Sequence, residues 1–145
     1  MQKVEECEIH QPIRSSSEAA GFDLQCSHDF SIEPWNRLLV RTGMRFYLPR
    51  GVYARLAPRS GLSLSGIDIG AGVVDRDYHG EVKVLVVNNS SHTLRISKGT
   101  RICQVILEQI CTPKVVMLEY NSAIPFMLNH ANRADSGFGQ FSGCF

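Results

Sequence analysis

The sequence predicts an all-β fold, and three observations carry that expectation. Short runs rich in β-branched and aromatic residues recur along the chain, broken by Gly, Pro, Asn and Ser at the intervals of a barrel or sandwich. Met44, Phe46 and Leu48 alternate with Arg45 and Tyr47, and Val52, Ala54 and Leu56 alternate with Tyr53 and Arg55, so each segment has a core face and an outer face. Farther on, Val82–Val87 and Ile102–Leu107 are nearly continuous apolar runs, the pattern of strands covered on both sides. In a chain this small, another subunit is the expected second cover.

The elements between the strands follow from local chemistry. Ser60-Gly61-Leu62-Ser63-Leu64-Ser65-Gly66 predicts one short helical turn with Ser60 as its cap. Asn88-Asn89-Ser90-Ser91-His92 and Ser97-Lys98-Gly99-Thr100 read as turns. From Thr112 the apolar alternation fades into a polar tail that ends in Ser136-Gly137-Phe138-Gly139 and beyond, which predicts an extended, mobile C-terminal arm. The chain therefore divides into a β domain over 1–111 and an arm over 112–145.

At 145 residues, with 43% apolar and 20% charged residues, the chain is one ordinary globular domain. Its 15 Lys and Arg against 14 Asp and Glu leave no basic excess for a polyphosphate backbone, so nucleic acid is not an expected partner. No apolar run is long enough to span a bilayer, and the N-terminus lacks the apolar segment of a secretory signal; an intracellular protein, cytoplasmic or nuclear, is expected. The five scattered cysteines form no CxxC pair and read as free thiols, with Cys103 and Cys111 as small core residues of a strand and Cys144 exposed.

Three segments carry chemistry. Asp75 and Asp77 lie in a loop entered through Gly70-Ala71-Gly72 and left through Gly80; this suits both a polar hairpin turn and a general-base carboxylate. In Ala57–Ser63, Arg59, the Ser60 hydroxyl and the Gly61 amide follow one another where a helical turn begins, and such donors suit anionic oxygens as well as an ordinary turn. In the tail, Arg133 precedes Phe138, a ring between Gly137 and Gly139 that is able to fold over a bound base.

These segments, with Ala19-Ala20-Gly21-Phe22-Asp23-Leu24 and Gly99–Ile106, resemble in order the five motifs of the trimeric dUTPase family. The resemblance spans nearly the whole chain. It implies a distorted jelly-roll-like β-barrel that assembles as a homotrimer, with each site drawing motifs from more than one subunit. It implies Mg²⁺-dependent hydrolysis of dUTP to dUMP and pyrophosphate, which limits uracil incorporation into DNA and supplies dUMP. Asp75 then deprotonates the water that attacks the α-phosphorus, with Asp77 structural. Tyr78 packs on the deoxyribose and excludes a 2'-hydroxyl. Main-chain groups of Gly72 and Val73 and of the strand that carries Lys83 read uracil. Arg59, Ser60, Gly61 and Gln104 contact phosphate oxygens, Asp23 reaches the metal through water, and Arg133, Phe138 and Gly139 close over the nucleotide.

Two departures stand out. Thr100 replaces the Asp of the fourth motif, which removes an intersubunit ion pair, and Ala134, Ser136 and Gln140-Phe141 alter the fifth. A binding protein that kept the fold without the chemistry is the rival from another class, and dCTP deamination on a related fold would require a glutamate in place of Asp75.

Overall fold

A computed structural model describes residues 11–117. In chain order the elements are β1 (Gly21–Gln25), β2 (Phe30–Ile32), β3 (Arg37–Arg41), β4 (Val52–Ala57), α1 (Ser60–Leu64), β5 (Ile67–Gly70), β6 (Val73–Val74), β7 (Lys83–Asn88), β8 (Leu94–Ile96) and β9 (Arg101–Gln109). They form three sheets, ordered β1-β9-β4-β6, β2-β8 and β3-β7-β5, and every pairing is antiparallel. The all-β, jelly-roll-like architecture expected from the sequence is the one found.

One core lies between the sheets. Leu24, Val40, Ala54, Val84 and Cys103 are fully buried, with Val82, Val86 and Ile102 nearly so. Along β4 the predicted alternation places Ala54 and Leu56 inward and leaves Tyr53 and Arg55 half-buried on the other face. Met44, Phe46 and Leu48 also turn toward the core, with Tyr47 exposed, but residues 42–49 form no strand among the described residues. Alternation reports which side of the chain is wet; it does not by itself provide a ladder partner. The segment is tied instead at its start, where Val82 N–H donates to the Met44 carbonyl at 2.8 Å, Thr42 Oγ1 donates to the Val82 carbonyl at 2.6 Å and Gly43 N–H donates to the Glu81 carboxylate at 2.9 Å.

Two local expectations are corrected. Helix α1 begins one residue earlier than a Ser60 cap requires: Arg59 occupies the cap position without a side-chain bond, and its carbonyl accepts from Leu62 N and Ser63 N at 3.0 and 2.9 Å. Cys111 is exposed and not a core thiol, because β9 ends at Gln109.

Asn88 closes β7 and is fully buried. Its Nδ2 donates to the carbonyls of Ile32, Glu33 and His92 at 3.0, 3.2 and 2.8 Å, and its Oδ1 accepts from Ser90 N and Ser90 Oγ at 3.0 and 2.7 Å. This side chain joins the end of β2 and the turn before β8 to the three-stranded sheet.

Candidate active site

The register of β1 on β9 places Asp23 directly opposite Gln104. Gly21 allows this close fit, since a Cβ there would stand 2.6 Å from the Val105 carbonyl oxygen. Arg59 leaves the end of β4 and directs Nε to Asp23 Oδ1 at 3.2 Å, while one of its terminal nitrogens donates to the Arg101 carbonyl at 3.1 Å. Gln104 Nε2 donates to the Pro58 carbonyl at 3.0 Å, which ties β9 to the segment before α1.

The result is a cleft of about 600 Å³, lined among others by Ser15, Asp23, Arg59, Ser60, Gly61 and Gln104. Among the described residues Asp23 is its one acidic lining residue, buried at 7% exposure. Two residues missed in the sequence also hold that carboxylate: Ser15 Oγ donates to Oδ2 at 3.1 Å, and an Arg101 terminal nitrogen lies 3.4 Å from Oδ2. Arg101 stands in the quoted fourth-motif segment, which was a usable signal. Ser15 had none, because its role depends on the Ile13–Asp23 bridge that brings the chain alongside β1. A buried carboxylate beside two guanidiniums, at the rim of a cleft that offers a hydroxyl and first-turn amides, is chemistry suited to phosphates with an attached cation.

Cys103 lies beneath this cluster, fully buried. Burial, aided by the Asp23 charge and only partly offset by Arg59, pushes its thiol up to about 12. Cys26 is also raised by burial, and its Sγ–H donates to the Ser97 carbonyl at 3.2 Å. Iodoacetamide at neutral pH should therefore alkylate Cys111 in the native protein and leave Cys26 and Cys103 intact, as read by peptide mass spectrometry. Native labelling of Cys103 would contradict this sealed floor.

The loop that carries Asp75 is built separately, on the free side of β4. Val73 and Val74 pair with Arg55 and Ala54, and Leu56 N–H donates to the Gly72 carbonyl at 2.7 Å. A Cβ on Gly72 would lie 2.3 Å from the Leu56 carbonyl oxygen, so only glycine fits there. Ala71 just before it has φ +47, a left-handed conformation that costs a non-glycine residue about 1 kcal/mol. The chain then turns, with Tyr78 N–H donating to the Asp75 carbonyl at 3.1 Å. Asp75, Asp77 and Tyr78 are exposed, and Lys83 opens β7 opposite Arg41.

Thus one chain brings together Asp23, Arg59, Ser60, Gly61 and Gln104, whereas Gly72, Val73, Asp75, Tyr78 and Lys83 do not line that cleft. Arg133, Phe138 and Gly139 lie outside the described residues.

Comparison with known proteins gives the family. The family model for dUTPase matches residues 7–141. The deoxyuridine 5'-triphosphate nucleotidohydrolase of Variola virus (isolate Human/India/Ind3/1967) is 41% identical over 128 residues, covering 88% of this chain and 82% of the viral protein. The solved dUTPase from phage phi11 of S. aureus has a TM-score of 0.72 at 22% identity, covering 78% of this chain and 92% of the phage chain. A variant of the Staphylococcus bacteriophage 80alpha dUTPase, solved with dUpNHpp, gives 0.71 at 23% identity, with 79% and 85% covered. These two likenesses concern the fold. Because the family match and the viral relative both extend over most of the chain, including the cleft and the Asp75 loop, this protein belongs to the dUTPase family.

Proposed function

We propose that the chain hydrolyses dUTP to dUMP and pyrophosphate, so limiting uracil incorporation into DNA and supplying dUMP. The observation that carries the proposal is the Asp23–Arg59 cleft, with Ser60, Gly61 and Gln104 on its wall. The triphosphate lies there, its oxygens met by Arg59, Ser60, Gly61 and Gln104. Asp75 accepts a proton from the water that attacks the α-phosphorus. The bond from that phosphorus to the oxygen bridging to the β-phosphorus breaks, and pyrophosphate leaves. Gly72, Val73 and the β7 strand from Lys83 read uracil through main-chain groups, and Tyr78 packs on the deoxyribose.

Among the described residues no three His, Cys, Asp or Glu side chains gather as a metal cage. One carboxylate already shared with Ser15, Arg59 and Arg101 fits an outer-sphere contact to a hydrated Mg²⁺ carried by the phosphates. Bound in that way, the ion would neutralise phosphate charge as pyrophosphate departs.

The separation of the Asp75 loop from the cleft supports a homotrimer in which another copy's loop completes each site. Residues 112–145 then act as the arm of the domain formed by 1–111, with Arg133, Phe138 and Gly139 closing over the nucleotide. No helix among the described residues is long and apolar enough to cross a membrane, and cytoplasmic or nuclear residence is part of the proposal.

Purified protein incubated with saturating dUTP and Mg²⁺ should release pyrophosphate and dUMP in equal amounts, and chelation with EDTA should stop the release. No pyrophosphate under those conditions would overturn the reading.

A further inference from the structure

Tyr78 is 46% exposed, so packing alone does not fix its ring. Two contacts do. A Cβ on Gly80 would lie 2.6 Å from Tyr78 Oη and 2.7 Å from Cζ, so the ring rests directly on the bare Gly80 backbone. At its tip, Oη donates to the Glu81 carbonyl at 2.9 Å. The position of the ring therefore depends on where the Glu81 backbone is held.

That backbone is clamped from both sides. The Glu81 carboxylate accepts the single Nε–H of Arg41, shared between its two oxygens at 3.2 and 3.0 Å, and the Gly43 N–H at 2.9 Å. Gly43 has φ +73, a turn conformation that aims its amide at the carboxylate. On the other side, Val82 is buried, its N–H donates to the Met44 carbonyl at 2.8 Å, and its own carbonyl accepts Thr42 Oγ1 at 2.6 Å. Burial raises the Glu81 pKa, but the Gly43 amide, Arg41 and Lys83 outweigh it; the net value lies below the ordinary 4.5, and the carboxylate is ionised at neutral pH.

We propose that Glu81 and Arg41 are positioning residues for sugar selectivity: their ion pair, set on the Gly43 turn, fixes the acceptor that holds the Tyr78 ring against the deoxyribose. This rests on the reading of Tyr78 as the group that excludes a 2'-hydroxyl. Neither side chain touches nucleotide; each acts through the Glu81 carbonyl. Removing the carboxylate leaves that carbonyl tied only through Val82, and the ring gains room to yield to a ribose.

The decisive quantity is the ratio of kcat/KM for dUTP to that for UTP. Glu81→Ala should lower it about tenfold, the scale expected when a sterically defining group is misplaced by a fraction of an ångström. Glu81→Gln, which keeps one acceptor oxygen for Gly43 N–H and Arg41 Nε but not the charge, should restore part of the ratio. Arg41→Ala should lower it less, because the Gly43 amide remains; its side chain is two-thirds exposed, so this variant carries the test should Glu81→Ala fail to fold. If both substrates lose kcat/KM by the same factor, or the ratio stays at its parent value, the pair is merely structural and the proposal is overturned. Tyr78→Ala separates the two failures. Selectivity retained in Tyr78→Ala sinks the reading of Tyr78 itself, whereas selectivity lost there but intact in Glu81→Ala and Arg41→Ala sinks only the proposal about the pair.

Discussion

Replacing Asp75 by Asn should lower dUTP turnover about 10²-fold or more while nucleotide binding persists. The substitution keeps size and shape and removes only the basic oxygen. The Asp75 side chain is exposed, and the bond that shapes its turn runs from Tyr78 N–H to the Asp75 main-chain carbonyl, which Asn retains. The Gly72 contact with Leu56 that sets the loop on β4 is also unaffected. A fall in kcat with an unchanged Kd for a non-hydrolysable dUTP analogue would thus report proton transfer. Near-parental turnover would remove Asp75 from the role of base.

The largest expected loss of stability lies far from that chemistry. Asn88→Ala deletes five hydrogen bonds made by a side chain with no exposed surface and leaves the buried Ile32 carbonyl, and the part-buried carbonyls of Glu33 and His92, without their donor. Stranding buried polar groups in this way costs about 3 kcal/mol. Urea unfolding of parent and variant measures it, and a difference below about 1 kcal/mol would mean that water replaces the lost donors.

Asn88 also shows where the sequence ceases to be legible. Asn-Asn-Ser-Ser is turn chemistry on its face, and nothing local says that its first residue is buried between two sheets. The all-β class, the two faces of β4 and the short helix were legible because each depends on residues close in sequence. Arg59, Ser60 and Gly61 were legible as a run of donors, and Asp23 and Gln104 only through the family resemblance; the structure brings the five to one cleft, the last two from facing positions within β1 and β9. Ser15 and the Arg41–Glu81 pair were not, since each meets its partner only through the final pairing of strands. The missing ladder at 42–49 is the converse case: a clear local pattern for which no partner strand stands among the described residues.

The pairing of β1 with β9 bears on how the chain comes to be active at all. The first described strand finds its partner only in the last, and β4 lies on the other side of that same last strand. Most of the described contacts are of this long-range kind, which favours slow, late closure over stepwise growth. During synthesis Asp23 and Arg59 would emerge well before Gln104 and Arg101, with no β9 to hold them together. A nascent or truncated chain lacking β9 therefore exposes the edges of β1 and β4 and possesses no cleft. Under the proposed function, nucleotide binding at this site would signal that the barrel has closed, and ligand would in turn favour the closed form by mass action.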